Sequence, residues 1–168
     1  MKTAIILLLL VGLAVAEPVP EPTPPVDRGV HLQLSIDGKR REFYIGEIIP
    51  IKLSFSSPTR ERYQVDQAQY DRSGRMNSER FEVTPADGSE DPLAEYYNDG
   101  PHIGGGLRGV DFLSAKPWAI QLKLNEWVRF TKPGEHKLKV SSDRVSVVDT
   151  KSAFGTSPVT AVSNQVTL

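Results

Sequence analysis

The chain has 168 residues, 39% of them apolar, and a formal net charge of −1. That is enough apolar material for the core of one domain, and a charge so near zero excludes both a global basic field for nucleic acid and the acidic excess of a disordered chain. There is no cysteine, which excludes disulfides, thiol catalysis, thiolate metal sites and a bacterial lipoprotein anchor.

Met1-Lys2 gives a short positive start, Ala4–Val15 is an apolar run, and Ala14-Val15-Ala16 is an A-x-A cleavage signal. Residues 1–16 read as a secretory signal peptide, because the run is shorter than the roughly 20 residues that span a bilayer. The expected protein is exported to the periplasm or beyond, begins at Glu17, and has no membrane span after cleavage. Residues 17–29 form a proline-rich spacer or tail, with five prolines in the eight residues from Pro18 to Pro25. Proline fixes φ and removes a donor, so this stretch favours polyproline II over helix or sheet interior.

From Val30 onward the hydrophobic period is two. Leu32, Leu34 and Ile36 alternate with Gln33 and Ser35; Asp37-Gly38 is a turn signal, after which Phe43 and Ile45 resume the apolar set. Ile49, Ile51, Leu53 and Phe55 form the clearest amphipathic strand, with Pro50 placed at an edge or at the strand entry. A strand around Tyr63–Tyr70 follows, closed by a turn at Asp71–Gly74, and Phe81 and Val83 mark another short one. The stretch Asp87–Gly109 carries six glycines and two prolines and reads as a long irregular loop. Ile120, Leu122 and Leu124, then Leu138 and Val140, restore the alternation. The parity slips where Ser142 and Arg144 occupy the inward phase and Val145 and Val147 leave it, which predicts a bulge near Ser141–Asp143. The last stretch puts Val162, Val166 and Leu168 on one phase, and because it stops inside an apparent strand, a longer parent protein is expected.

Strands about every ten residues with turn signals between them predict an all-β antiparallel sandwich of roughly seven to nine strands over residues 30–168. Chemistry finds little support. His31, His102 and His136 are scattered, with no H-x-H or H-E-x-x-H pair for zinc, and no G-x-S-x-G is present. The run Pro101–Gly109 is glycine-rich but lacks the G-K-[ST] ending of a phosphate loop. The acidic Asp87–Pro92 stretch does not follow the spacing of a calcium loop and reads as a solvated turn. No catalytic residue, metal or cofactor is therefore expected. The candidates for partner binding are Tyr96, Tyr97, His102 and Trp118, aromatic groups in or beside the long loop.

The run LNEWVRFTKPGEHKLKV, Leu124–Val140, is the most distinctive in the chain. A strict strand through it would bury Glu126 and expose Trp127, so a short turn is expected at Asn125-Glu126, with Trp127 covering one end of the core and Glu126 serving as a turn carboxylate. Pro133-Gly134 is a turn, a strand starts at Glu135, and His136 shares parity with Leu138 and Val140. His136 thus stands where many sandwiches place the tyrosine of a corner.

This run, together with YIGEIIPIKLSFSS, YDRSGR, FLSAKPW and DRV, resembles an uncharacterised immunoglobulin-like domain at the N-terminus of secreted bacterial proteins, some of which continue into HEAT repeats. The resemblance spans Val30–Leu168 and implies a non-catalytic extracytoplasmic module, with no ligand or catalytic residue to carry over; the family usually has an aromatic where His136 stands. A second, more generic similarity, through FSS, Tyr70–Gly74 and Pro133–His136, is to small sandwich-type proteinase inhibitors of bacteria. The function expected is an exported non-catalytic module for protein or glycan interaction. The alternatives are a secreted proteinase inhibitor or, further off, a carbohydrate-active enzyme.

Overall fold

The computed structural model describes residues 29–38, 40–72, 74–98, 109–148 and 156–168. The predicted signal peptide, the proline-rich stretch up to residue 28, and His102 lie outside them. In chain order the strands are β1 (His31–Ile36), β2 (Pro50–Ser56), β3 (Tyr63–Asp66), β4 (Tyr70–Asp71), β5 (Gly74–Arg75), β6 (Glu79–Thr84) and β7 (Ser89–Glu90). A short helix α1 (Ala94–Asn98) precedes β8 (Val110–Phe112), β9 (Trp118–Lys123), a 3-10 turn (Leu124–Glu126), β10 (Arg129–Phe130), β11 (Lys137–Val148), β12 (Thr156–Val162) and β13 (Val166–Thr167).

The protein is an all-β antiparallel sandwich. One sheet has the order β1-β2-β9. Its register aligns Leu34 with Leu53 and Ile120, and Ile36 with Ile51 and Leu122, so the apolar members of three alternating strands share one face. A slip of one residue would turn that whole set to solvent, which is why the alternation specifies the pairing. The other sheet is built on β11, the longest strand. Along one side β11 pairs with β6 and then β3; along the other it pairs with β13 and β12; β8 adds outside β3. Tyr63, Val65, Leu138, Val140, Val145, Val159 and Ala161 from this sheet join the first sheet's residues in one core. Burying each such large side chain contributes roughly 1.5–3 kcal/mol relative to leaving it in water.

The predicted bulge is present, since the β11–β12 register shifts between Ser142 and Val145. It does not expel the polar residues. Ser142 and Arg144 stay inward, and the Arg144 and Glu79 side chains are both 0% exposed. Two parallel bonds join them, Nε to Oε1 at 2.7 Å and Nη2 to Oε2 at 2.9 Å. Ser142 Oγ donates to the same carboxylate at 3.1 Å, and Arg144 Nη1 donates to the carbonyls of Asp66 and Ala68. The junction where β11 changes partner from β6 to β3 leaves carbonyls without ladder partners, and the guanidinium supplies the missing donors.

Other expectations need correction. Asp37-Gly38 does turn the chain at the end of β1, with Gly38 at φ +86°, but β1 pairs with β2 through Ile36↔Ile51, so the connection is the long segment between Ile36 and Pro50, and Phe43 and Ile45 lie in that loop rather than in a strand. Pro50 opens β2, where its missing N–H is tolerated. The region after Asp87 is not wholly irregular, since it contains β7 and α1. The strand after the Pro-Gly turn starts at Lys137, not Glu135. Val162 points outward, 48% exposed, while Val159 and Ala161 take the inner positions of β12 and Ser163, just after it, is buried.

The edges at β1, β8 and β12 are blunted. The Asn164 side-chain amide accepts from the Leu34 N–H at 2.8 Å and donates to the Leu34 carbonyl at 3.1 Å, so it substitutes for a neighbouring strand along β1. On β8 the Asp111 carboxylate accepts from the Phe112 N–H at 2.8 Å, and Pro158 interrupts the donors of β12. Edges treated in this way resist adding a further strand.

Candidate functional site

The end of the sandwich reached by Ile36, Pro50 and Lys123 carries a groove of about 1080 Å³. One wall is the loop between β1 and β2. The other is made by Phe130, the Lys132–His136 turn and the last residues, Thr167 and Leu168. The loop is short of neighbours but not of internal bonds. Glu47 N–H donates to the Tyr44 carbonyl at 2.9 Å, and Gly46 has φ +83°, the value that the third position of a type II turn demands and that glycine adopts freely. The Glu47 carboxylate closes the turn by accepting from the Tyr44 N–H at 2.9 Å and pairs with both terminal nitrogens of Arg40 at 2.5 Å. Hydrogen bonding from Arg40, then from the Tyr44 N–H, holds the Glu47 carboxyl below the usual carboxylate range.

Asn125 ties this loop to the sandwich. Its side-chain oxygen accepts from the Ile49 N–H at 2.8 Å, and its side-chain nitrogen donates to the Glu47 carbonyl at 2.8 Å. The backbone beside it continues the contact, with Leu124 N–H donating to the Ile49 carbonyl at 3.0 Å. The result is a braced tip on which Tyr44 is 84%, Ile48 59% and Ile45 55% exposed. Replacing Asn125 by alanine leaves one donor and one acceptor of this loop without their partners. We expect a loss of about 1–3 kcal/mol, with faster amide exchange at Ile49 while Leu53 stays protected. Unchanged exchange at Ile49 would show that Asn125 is not the tie.

The facing wall is the distinctive run itself. The predicted turn is the 3-10 segment Leu124–Glu126, and Trp127, 5% exposed, covers the core beside Phe81 with ring centroids 5.7 Å apart. Glu126 accepts from the Tyr70 hydroxyl at 2.8 Å, a bond that raises the Tyr70 pKa, with burial adding to it. His136 is 6% exposed, its ring is 4.6 Å from that of Phe130, and its Nε2 lies 3.3 Å from the Lys132 carbonyl, four residues upstream. That backward bond is the one a corner tyrosine makes. Its Nδ1 is buried without a hydrogen-bond partner.

Of the sequence candidates among the described residues, Tyr96 and Tyr97 lie together and Trp118 lies apart from them. Tyr97 packs on Arg75, whose guanidinium lies 5.1 Å from the Tyr97 ring and 5.4 Å from the Trp127 ring, and its hydroxyl donates to the Arg75 carbonyl at 2.9 Å. Tyr96 sits edge-on to Tyr97 at 5.0 Å and is 52% exposed. Trp118 opens β9, half-buried against Phe55 at 6.0 Å, whereas Trp127 follows the other end of that strand. Five residue steps at about 3.3 Å separate the two ends by ~17 Å, so Trp118 and Tyr97 do not share a surface. His102 lies outside the described residues.

The acidic stretch before α1 is spent on ion pairs. Asp87 meets Lys132 at 2.8 Å, Glu90 meets Arg129, and Asp91 meets Arg75 at 2.6 Å. Among the described residues no group of His, Cys, Asp and Glu is arranged to hold a metal. The sequence signal for the groove was present but misassigned: Phe43 and Ile45 look like a resumed strand alternation, and only the β1–β2 register shows that they lie beyond the ladder.

Comparison with protein-family models, curated proteins and solved structures returned no match for this chain.

Proposed function

We propose that the protein is an exported, non-catalytic β-sandwich module that binds a protein or glycan in the bacterial envelope or outside the cell, through the groove beneath the β1–β2 loop. The observation that carries this reading is the braced tip: Tyr44, Ile45 and Ile48 stand in solvent while ion pair, turn and Asn125 hold the backbone beneath them. Exposed apolar surface costs solubility, and a loop ordered in advance loses less entropy on binding. The combination fits a contact surface better than a connection of no consequence. Membership of the immunoglobulin-like family of secreted proteins, with its HEAT-repeat relatives, belongs to the same proposal. So does the absence of catalysis.

The test is capture from an envelope fraction and on a glycan panel by the immobilised protein. Tyr44→Ala is expected to weaken capture about tenfold or more, the effect of losing ~1.4 kcal/mol at a central aromatic contact. Tyr96→Ala and Trp118→Ala are expected to leave it unchanged. Capture that ignores Tyr44 but fails with Tyr96→Ala would return the site to the loop before β8. A proteinase inhibitor is the second reading, because a protruding, internally bonded apolar loop is also what fits an enzyme cleft; unslowed cleavage across a protease panel would remove it.

A further inference from the structure

With β1, β8 and β12 blunted, the edges of β6 and β9 are left. The backbone direction at β6 follows from its neighbour β11. Val140 N–H donates to Ser163 Oγ at 3.0 Å, and the Val140 carbonyl accepts from the Ser163 N–H at 2.9 Å, so Val140 faces away from β6. Successive residues of an antiparallel strand aim their backbone groups to opposite sides. Lys139 and Ser141 therefore face β6, opposite Glu82 and Arg80. Asp143 keeps the same parity, its N–H donating to the Ser78 carbonyl at 2.9 Å. Arg80 and Glu82 thus spend their N–H and C=O groups on β11. Those of Glu79, Phe81 and Val83 point to the outer edge, where they have no partner among the described residues.

The side chains along this edge complement a copy of themselves. Glu79 is buried and Phe81 and Val83 pack on the core, so Arg80 and Glu82 project from the opposite face and are exposed. Glu82 makes no ion pair among the described residues. Arg80 meets Asp143 at 2.7 Å but keeps 56% of its side chain exposed, and a guanidinium carries enough donors for a second carboxylate. A two-fold axis at Phe81 sets Phe81 opposite Phe81 and Arg80 opposite Glu82 on both sides of the axis, with the unpaired backbone groups facing one another. Moving the axis to Glu82 sets that carboxylate against itself, which is destabilising. The β9 edge offers no such match: Lys123 is its one charge, and Gln69 Nε2 already reaches the Gln121 carbonyl at 3.4 Å.

We propose that the chain forms a two-fold dimer in which β6 pairs antiparallel with β6 of a second copy, centred on Phe81. The backbone ladder joins Phe81 to Phe81 and Glu79 to Val83, and the reciprocal Arg80–Glu82 contacts fix the register. The same patch serves both copies, so the association closes at two. It uses none of the residues that line the groove, and it stands or falls separately from the binding reading.

Sedimentation velocity over a concentration series of the exported chain tests it, with hydrogen exchange read at Phe81 and Val83. The expected result is a monomer–dimer equilibrium in which those two amides gain protection as the dimer fills. Arg80→Glu and Glu82→Arg each set like charges opposite one another at both contacts, and each is expected to weaken dimerisation about tenfold or more. Mixing the two variants is expected to restore it, because opposite charges then meet across the axis; the double variant restores it within one chain. Arg80→Glu also gives up the Asp143 pair, so far-ultraviolet circular dichroism checks its fold, and Glu82→Arg, which keeps that pair, is the independent arm. A chain that stays monomeric at every concentration overturns the proposal. So does a dimer whose Phe81 and Val83 amides exchange as in the monomer, or one that the mixed variants fail to re-form.

Discussion

Replacing Arg144 by alanine is expected to lower the unfolding free energy by about 3–5 kcal/mol, the cost of leaving a buried carboxylate without its partner. That is a large part of the ~5–15 kcal/mol that holds an ordinary domain together. Glu79 has nowhere to go: it is 2% exposed, and the Ser142 hydroxyl would remain its only described side-chain donor. Glu79→Ala strands the guanidinium in the same way, although Arg144 would keep its bonds to the Asp66 and Ala68 carbonyls. Replacing both together, Glu79→Leu with Arg144→Met, is expected to recover much of the loss, because the apolar pair needs no desolvated charge. Urea unfolding of the parent protein, the two single alanine variants and the double alanine variant gives the coupling directly. If the two single losses merely add in a double alanine variant, the pair is not acting as a unit and the account of the β6–β11–β3 junction fails.

Trp127→Ala is expected to be comparably severe, about 3–5 kcal/mol. The ring is 5% exposed, covers the core beside Phe81 and supports the Arg75 guanidinium on one face. Its removal opens a cavity and also loosens Arg75, which joins Asp91 and the Glu126 carbonyl. Trp118 provides the internal contrast. It is half-buried against Phe55 at a sheet end, so Trp118→Ala is expected to cost clearly less. Each single-tryptophan protein also reports by fluorescence on the end of the sandwich that it occupies. Equal losses for the two substitutions would show that Trp127 does not close the core as its burial indicates.

Several features were legible in the sequence for one reason: they are local or periodic. Leu32, Leu34 and Ile36, the β2 set, and Ile120 with Leu122 declared their inner faces through alternation, and the structure buries all of them. Charge avoidance located the turn at Asn125-Glu126, since an unpaired carboxylate beside Leu124 would have been costly. The parity break in β11 located the bulge. The same methods failed where a residue's role depends on a distant one. Glu79 and Arg144 are 65 positions apart, so the sequence offered only a parity slip where the structure holds an ion pair. Tyr97 looked available for a partner, but its ring and hydroxyl are used by Arg75, 22 positions away. Asp37-Gly38 was legible as a turn because turn chemistry is local, but the length of the loop that follows it was not, because the β1–β2 register is set by which apolar faces meet across the sheet.

Alternation and the spacing of turn signals pointed to an antiparallel sandwich and to which side of most strands faces inward, because a period of two puts every second residue on one face. Only the tertiary structure decided which polar groups were paired and which surface was left over. Asn125 and Asn164 satisfy backbone groups 76 and 130 positions away, and the groove joins the β1–β2 loop to the Pro-Gly turn and to Leu168. Pairing and surface are both properties of distance in space, which the order of residues along the chain does not record.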